Sequence, residues 1–167
     1  MNALTVIVLC LLIVPLQMQV TGLIAVAGIR PDLPGVVVYG IGLLGGPWTG
    51  GAAGLLVGLL VDRFSGGLVG PQLIAKLCIG LVGGVLGRRL LLANATTHGA
   101  ICFALFLLQG VWMTITIWWR TGEGWRELYL TAVPEACYTA VIVMIGLWVL
   151  RRRMGERTER LTLLVDR

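Results

Sequence analysis

Two charged residues, Lys76 and Glu135, lie inside long apolar segments of the sequence. At about 1.5 Å per helical residue, Lys76 would be about 12 Å deep in one helix and Glu135 about 10 Å deep in another. Both depths are counted from the same end of the two helices. Because a charge in an apolar interior normally has a partner, we expect Lys76 and Glu135 to form an ion pair. The alternative is that each side chain extends separately to a polar surface.

The residues of common enzyme and metal sites are absent or too widely spaced. His98 is the only histidine, and the four cysteines lie apart within apolar runs, with no C-x-x-C spacing. The sequence also has no H-E-x-x-H, no G-x-x-x-x-G-K-[ST] loop and no G-x-S-x-G motif. We therefore expect a protein that is not an enzyme and that has no cofactor and no metal site.

The composition is that of a membrane protein. Of the 167 residues, 57% are hydrophobic and 13% are charged, whereas a soluble domain has about 25% charged residues. We expect residues 1–27 to form a membrane span and not a cleaved signal peptide, because a signal peptide has a basic start and a shorter apolar run. We predict an all-α integral membrane protein, with one transmembrane domain over 1–150 and a basic tail over 151–167. Its spans are expected near 4–26, 33–45, 47–62, 68–87, 99–119 and 128–150.

The second and third of these spans are short. About 13 residues at about 1.5 Å each give about 20 Å, less than the hydrocarbon thickness of about 30 Å. Gly45-Gly46-Pro47 separates the two segments, and proline is well suited to the first position of a helix. Either two short helices form a hairpin, which gives six spans, or one helix kinks at Pro47, which gives five.

The distribution of arginines predicts the orientation. With the C-terminus inside, the inner side holds eight basic residues and the outer side four if there are six spans, or nine and three if there are five. Five of the inner arginines form what we call the inner-face anchor. This anchor would attract anionic lipid, so the net charge of +5 does not require nucleic acid as an explanation. Alternatively, the tail is a helix that docks on a partner. The anchor consists of Arg88, Arg89, Arg151, Arg152 and Arg153.

Glycines recur every four residues in the third segment, at Gly46, Gly50, Gly54 and Gly58, and Asp62 continues the row. Residues four apart share one face of a helix, and a face without side chains lets another backbone approach closely. A second small face follows in the fourth segment. The rows either pack the third and fourth helices together or form a groove for a partner helix or a ligand.

An ordered set of residues between Arg30 and Arg88 resembles the rod shape-determining MreD family. This set covers about a third of the chain, and Lys76 departs from it because that position is usually apolar in the family. The set reads Arg30-Pro31-Asp32-Leu33, Gly46-Pro47, Gly54-x-x-x-Gly58-Leu59-x-x-Asp62-x-x-Ser65-Gly66 and Gly70.

The resemblance implies six spans in the bacterial cytoplasmic membrane, with both termini in the cytoplasm. It also implies an architecture similar to the S component of energy-coupling factor transporters. MreD proteins have no known reaction. They bind the single-span protein MreC and belong to the elongation machinery, which includes RodA, its transpeptidase partner and the MreB filament.

Two functions therefore follow as expectations. In the first, the glycine-rich groove holds the transmembrane helix of an MreC-like partner, and the Asp62 turn and the 120–127 loop face the periplasmic assembly. Asp62 could instead only cap or shape its turn. In the second, the protein is the substrate-binding S component of a vitamin transporter, with a pocket drawn from Gln72, Lys76, Glu135 and Tyr138.

Overall fold

The computed structural model describes residues 3–25, 28–66, 70–90, 95–122, 126 and 128–165, and these residues contain six α-helices and no β-strand. The all-helical prediction is confirmed. The helix bounds lie within a few residues of the predicted ones, except that the last helix continues to Val165 and does not end near 150. A π-helical turn, Leu128–Ala132, leads directly into the last helix. The helices are α1 Ala3–Ile24, α2 Leu33–Gly45, α3 Pro47–Phe64, α4 Pro71–Leu90, α5 Ala95–Thr121 and α6 Val133–Val165.

The helices α2 and α3 form a hairpin. Gly46 between them has a φ of 85°, in the left-handed region that glycine adopts without strain, and Pro47 begins α3. A Cβ on Gly50 would lie 2.6 Å from the Cα of Gly42. In one continuous helix, residues eight apart are separated by about 12 Å. The chain therefore reverses at Gly46, and the alternative of one kinked helix is wrong.

The helices α2, α3 and α4 form one structural unit, in which their backbones are in contact. A Cβ on Gly54 would overlap the backbone of Lys76, and a Cβ on Gly58 would lie 2.7 Å from the carbonyl oxygen of Gln72. Glycines of α4 fit against α2 and α3 in the same way, since a Cβ on Gly87 would lie 2.5 Å from the carbonyl oxygen of Leu43. Both glycine rows therefore serve internal packing.

The helices α5 and α6 form a second unit. They approach closely where Gly99 faces Met144 and where Gly110 faces Ala132. The two units meet where the ring of Phe106 in α5 lies against Gly35 of α2, and where the Trp112 indole donates to the carbonyl oxygen of Pro71 at 3.2 Å. The remaining helix, α1, packs against α2 and α3.

Two stretches of the described residues are long and apolar enough to cross a membrane, Thr96–Thr121 and Leu130–Val149, with mean hydropathies of 2.0 and 1.7. Shorter apolar helices cover Leu4–Gln17, Leu33–Gly45 and Pro71–Gly87. The backbone of α6 continues without a break through Arg151, Arg152 and Arg153 to Val165. The charged tail is therefore a helical extension of α6.

Candidate functional site: a buried polar cluster and an adjoining cavity

Four helices contribute to a buried polar cluster, which we define as Asp32, Lys76, Gln109 and Thr139. The Lys76 ammonium donates to the Asp32 carboxylate and, at 3.0 Å, to Oε1 of Gln109. The Gln109 amide closes the triangle by donating to Oδ2 of Asp32 at 2.8 Å. The side chains of Lys76 and Asp32 are only 1% and 7% exposed, so this ion pair is shielded from solvent.

The local sequence at the start of α2 places Asp32 in the interior. Asp32 is the N-cap of α2, and its Oδ1 accepts the backbone N–H of Gly35 at 2.9 Å. Its own backbone N–H donates to the Thr139 hydroxyl of α6 at 3.1 Å. Pro31 and Pro34 on either side are fully buried. The short helix α2 thus begins inside the bundle, and its cap is available to Lys76.

The expected ion pair between Lys76 and Glu135 is corrected by this arrangement, because within the described chain the partner of Lys76 is Asp32. Glu135 lies near enough to interact electrostatically with both residues of the pair. Asp32 is favoured because the Gly35 N–H and the Gln109 amide already hold its carboxylate beside α4. The predicted spans left Asp32 between the first two helices, and it was not considered as a partner for Lys76.

Asp62, near the end of α3, caps the beginning of α4. Its carboxylate accepts the backbone N–H groups of Gly70, Gln72 and Leu73 at 2.8, 3.1 and 3.1 Å. Because the first N–H groups of a helix have no partner within it, three such bonds satisfy most of them. Asp62 therefore joins the ends of two helices. The sequence left open whether Asp62 faces a partner or only caps its turn, and this geometry is that of a cap.

The rest of the family-like turn also has local roles. The Ser65 hydroxyl donates to the carbonyl oxygen of Val61 at 2.7 Å and ends α3. Gly66 and Gly70 have φ values of 64° and 137°, which a side chain would disfavour. Residues 67–69 of this turn and 123–125 and 127 of the polar loop lie outside the described residues.

The glycine groove that was expected to receive a partner helix is already filled. Gly50, Gly54 and Gly58 are buried, and α4 lies against all three. A second helix cannot occupy the same face, since even one added carbon atom would overlap the α4 backbone. That part of the binding hypothesis is wrong, so any partner helix would have to use another surface.

A cavity of about 110 Å³ adjoins the polar cluster between α4, α5 and the start of α6. Its polar lining comes from five residues, Gln72, Gln109, Thr114, Thr131 and Glu135. The Oε1 atom of Gln72 is buried and has no hydrogen-bond partner. Of the residues expected for a pocket, Gln72 and Glu135 line this cavity, Lys76 contacts its lining residue Gln109, and Tyr138 is not part of the lining.

A wider hollow of about 250 Å³ lies at the same end of the bundle, between the α3–α4 turn and the end of α5. Asp62, Ser65 and Arg120 are among its lining residues. It shares Gln72, Met113 and Ile117 with the cavity, so the two spaces adjoin. The cavity is thus bordered by this hollow, whose lining includes Arg120.

Sequence reasoning missed Gln109, Thr139 and a buried hydrogen bond of 2.9 Å between the Tyr39 hydroxyl and Nδ1 of His98. Gln109 could have been found, because it is an isolated amide in the middle of an apolar segment. Among the described residues, no group of three or more His, Cys, Asp or Glu side chains could hold a metal ion. The cluster and cavity can therefore pair charges and accept hydrogen bonds.

Comparisons of the chain with models of protein families, with curated proteins and with solved structures give no match. The function of the protein must therefore be inferred from the polar cluster, the cavity and the sequence pattern.

Proposed function

We propose that this protein is a non-enzymatic, six-span component of the bacterial cell-elongation machinery, similar to MreD, which acts by binding other membrane proteins. One observation carries the proposal. The residues that resemble the MreD family fall on one structural unit, α2 to α4 with the segments that lead into it, and several of them make contacts that shape it. Asp32 pairs with α4, Gly46 and Pro47 form the hairpin, and Asp62 caps α4.

The distribution of polar and apolar side chains supports a membrane location for all six helices. Leu4, Leu11 and Leu12 of α1 are 74%, 54% and 60% exposed, while Asp32 and Lys76 are buried. A water-soluble protein rarely shows this arrangement, because large exposed apolar surfaces are unfavourable in water. Lipid around the helices would cover the leucines, and the charged groups would find their partners inside.

The partner would bind on the outer surfaces of the bundle, because α4 covers the glycine row of α3, and α2 and α3 cover the glycine row of α4. The resemblance suggests a single-span MreC-like protein as the direct partner, with RodA and its transpeptidase as the enzymes that the complex positions or regulates. The helical tail after Leu150 would extend towards the MreB filament and the anionic lipid of the inner leaflet. The protein itself would supply no catalytic group.

The competing function, a vitamin-binding S component, is less well supported. Pockets for small organic ligands have volumes of about 300–1,000 Å³, and the polar cavity here has about 110 Å³. Its polar groups are also tied up in part, since Gln109 is bonded at both ends of its amide to Lys76 and Asp32. A vitamin would need the cavity and the adjoining hollow to open together.

Depletion of the protein in its own bacterium, with cell shape and copurifying proteins as readouts, tests the proposal. We expect rod-shaped cells to become round, and the wild-type chain to copurify with a single-span membrane protein. Re-expression of wild type should restore the rods. The proposal fails if depleted cells remain rods and require an added vitamin, or if the chain copurifies with the transmembrane subunit of an ATP-driven transporter.

A further inference from the structure

The lining of the cavity includes residues with oxygen atoms that can accept hydrogen bonds but have no proton to donate. Glu135 contributes a carboxylate. Gln72 also lines the cavity, and its Oε1 atom is buried and has no hydrogen-bond partner. The Thr114 hydroxyl donates its proton to the carbonyl oxygen of Gly110 at 2.9 Å, so its oxygen remains as an acceptor. A buried acceptor without a donor costs about 1–3 kcal/mol, which favours a bound species that donates or carries positive charge.

Among the described residues that form the polar cluster and line the cavity, the charges do not balance, and Arg120 lines only the adjoining hollow. Asp32 and Lys76 form a neutral pair, and Glu135, which interacts electrostatically with both, adds one negative charge when it is ionised. Lys76 cannot neutralise Glu135 as well, because its ammonium is bound to Asp32 and Gln109. A single uncompensated charge in a buried cluster is unfavourable, and one positive charge in the cavity would remove it.

We propose that this cavity binds one monovalent cation, either an alkali metal ion or a small primary ammonium group, held by the Glu135 carboxylate and the Gln72 carbonyl oxygen. This site goes beyond the proposed role in cell elongation and does not depend on it. A divalent ion is disfavoured, because calcium takes six to eight oxygen ligands and several carboxylates.

The size of the cavity limits the cation. A water molecule occupies about 30 Å³ in the liquid, so a cavity of about 110 Å³ holds about three water-sized groups. Sodium or potassium with its remaining water fits, and so does methylammonium. Tetraethylammonium, whose four ethyl groups surround the charge, does not fit and has no N–H to donate.

Thermal unfolding of the full-length protein in detergent, followed by tryptophan fluorescence, tests the site. Sodium, potassium and methylammonium chlorides are titrated at a constant ionic strength that is maintained with tetraethylammonium chloride. We expect a saturating rise in Tm, because a ligand that binds only the folded protein stabilises it. The cation that saturates at the lowest concentration identifies whether the site prefers a metal ion or an ammonium group.

Two variants and a control locate the effect. Glu135→Gln should weaken cation binding by at least about tenfold, as expected for the loss of a charged partner. It should also be at least as stable as wild type without added cation, because it removes the uncompensated charge. Gln72→Leu, which changes no charge, should reduce the affinity as well. Glu156→Gln, the same charge change in the C-terminal segment, should keep the wild-type response.

Three results would overturn the proposal. The first is a Tm that rises equally when tetraethylammonium replaces the small cations, which indicates ionic strength alone. The second is a full cation response in both Glu135→Gln and Gln72→Leu. The third is a wild-type protein that is stabilised by acid but by none of the cations, which indicates that a proton neutralises the cluster.

Discussion

The buried ion pair between Lys76 and Asp32 predicts a specific pattern of stability in a double-mutant cycle. Lys76→Leu leaves the Asp32 carboxylate with the Gly35 N–H and the Gln109 amide but with no cation. Asp32→Asn leaves the Lys76 ammonium with Oε1 of Gln109 and the face of the Phe106 ring, whose centre is 5.9 Å away. Each single change therefore leaves one buried charge without its direct partner, and in Asp32→Asn, Glu135 remains as an acidic group that interacts with Lys76.

The expected magnitudes follow from this loss. Removing one member of a buried pair costs about 3–5 kcal/mol, while replacing both members is often nearly neutral. We expect each single variant to lose about 3 kcal/mol or more of unfolding free energy, with Asp32→Asn the milder because an amide can still cap α2. The double variant should be less destabilised than the sum of the two by about 2–3 kcal/mol.

Chemical unfolding in mixed micelles, followed by circular dichroism or tryptophan fluorescence, gives these free energies. A second cycle, Lys76→Leu with Glu135→Gln, is the matched comparison, because Glu135 carries the same charge but does not contact Lys76. Its coupling should be clearly smaller than that of the first cycle. Additive effects in the Asp32 cycle, or a larger coupling in the Glu135 cycle, would refute the assignment of Asp32 as the partner.

Three further predictions concern the packing and the caps. Gly54→Ala should cost about 3 kcal/mol or more by overpacking, whereas Gly40→Ala, with no atom within 4 Å of the added carbon, should stabilise the helix by about 0.5–1 kcal/mol; equal unfolding midpoints would contradict the packing of α3 on α4. Asp62→Ala should lose about 2 kcal/mol and Ser65→Ala less than about 1 kcal/mol, measured by the same unfolding assay, because Asp62 accepts three backbone N–H groups. Tyr39→Phe should cost about 1 kcal/mol through its lost bond to a histidine, and an unchanged midpoint would show that this bond contributes nothing.

The sequence predicts the helices well because their signals are local. Apolar runs, the Gly46-Pro47 turn and the glycine spacing each act over a few residues. They located the helical segments to within a few residues of those observed, except at the end of the last helix, which continues to Val165. The choice between a hairpin and a kink was left open, because it depends on whether α2 packs against α3. That contact is made by Gly42 and Gly50. The presence of two glycines in the sequence does not show that they face each other.

The ion pair could not be predicted in the same way, because it depends on where α2 begins relative to α4 and α5. Counting residues from the helix ends gives depth along one axis, and it placed Lys76 and Glu135 at similar depths. It takes no account of a short helix that starts inside the bundle and carries Asp32 with it. Asp32 was singled out only as part of the family-like set Arg30-Pro31-Asp32-Leu33, and neither its capping role nor its burial was predicted.

Helices of the same protein cover the two glycine rows, and this changes how the effect of a substitution in these rows should be interpreted. If an MreC-like helix filled the row on α3, Gly54→Ala would weaken binding and leave the isolated protein intact. Because α4 fills the row, the same change should lower the stability of the protein alone, and any loss of partner binding would follow from that. Measuring stability before binding therefore separates a surface that recognises a partner from a core that holds the bundle together.

By this reasoning, variants for mapping the partner belong on the exposed faces, such as Leu55 and Leu59 of α3, which are 40% and 44% exposed. A bulky substitution there should reduce copurification of the partner without shifting the unfolding midpoint.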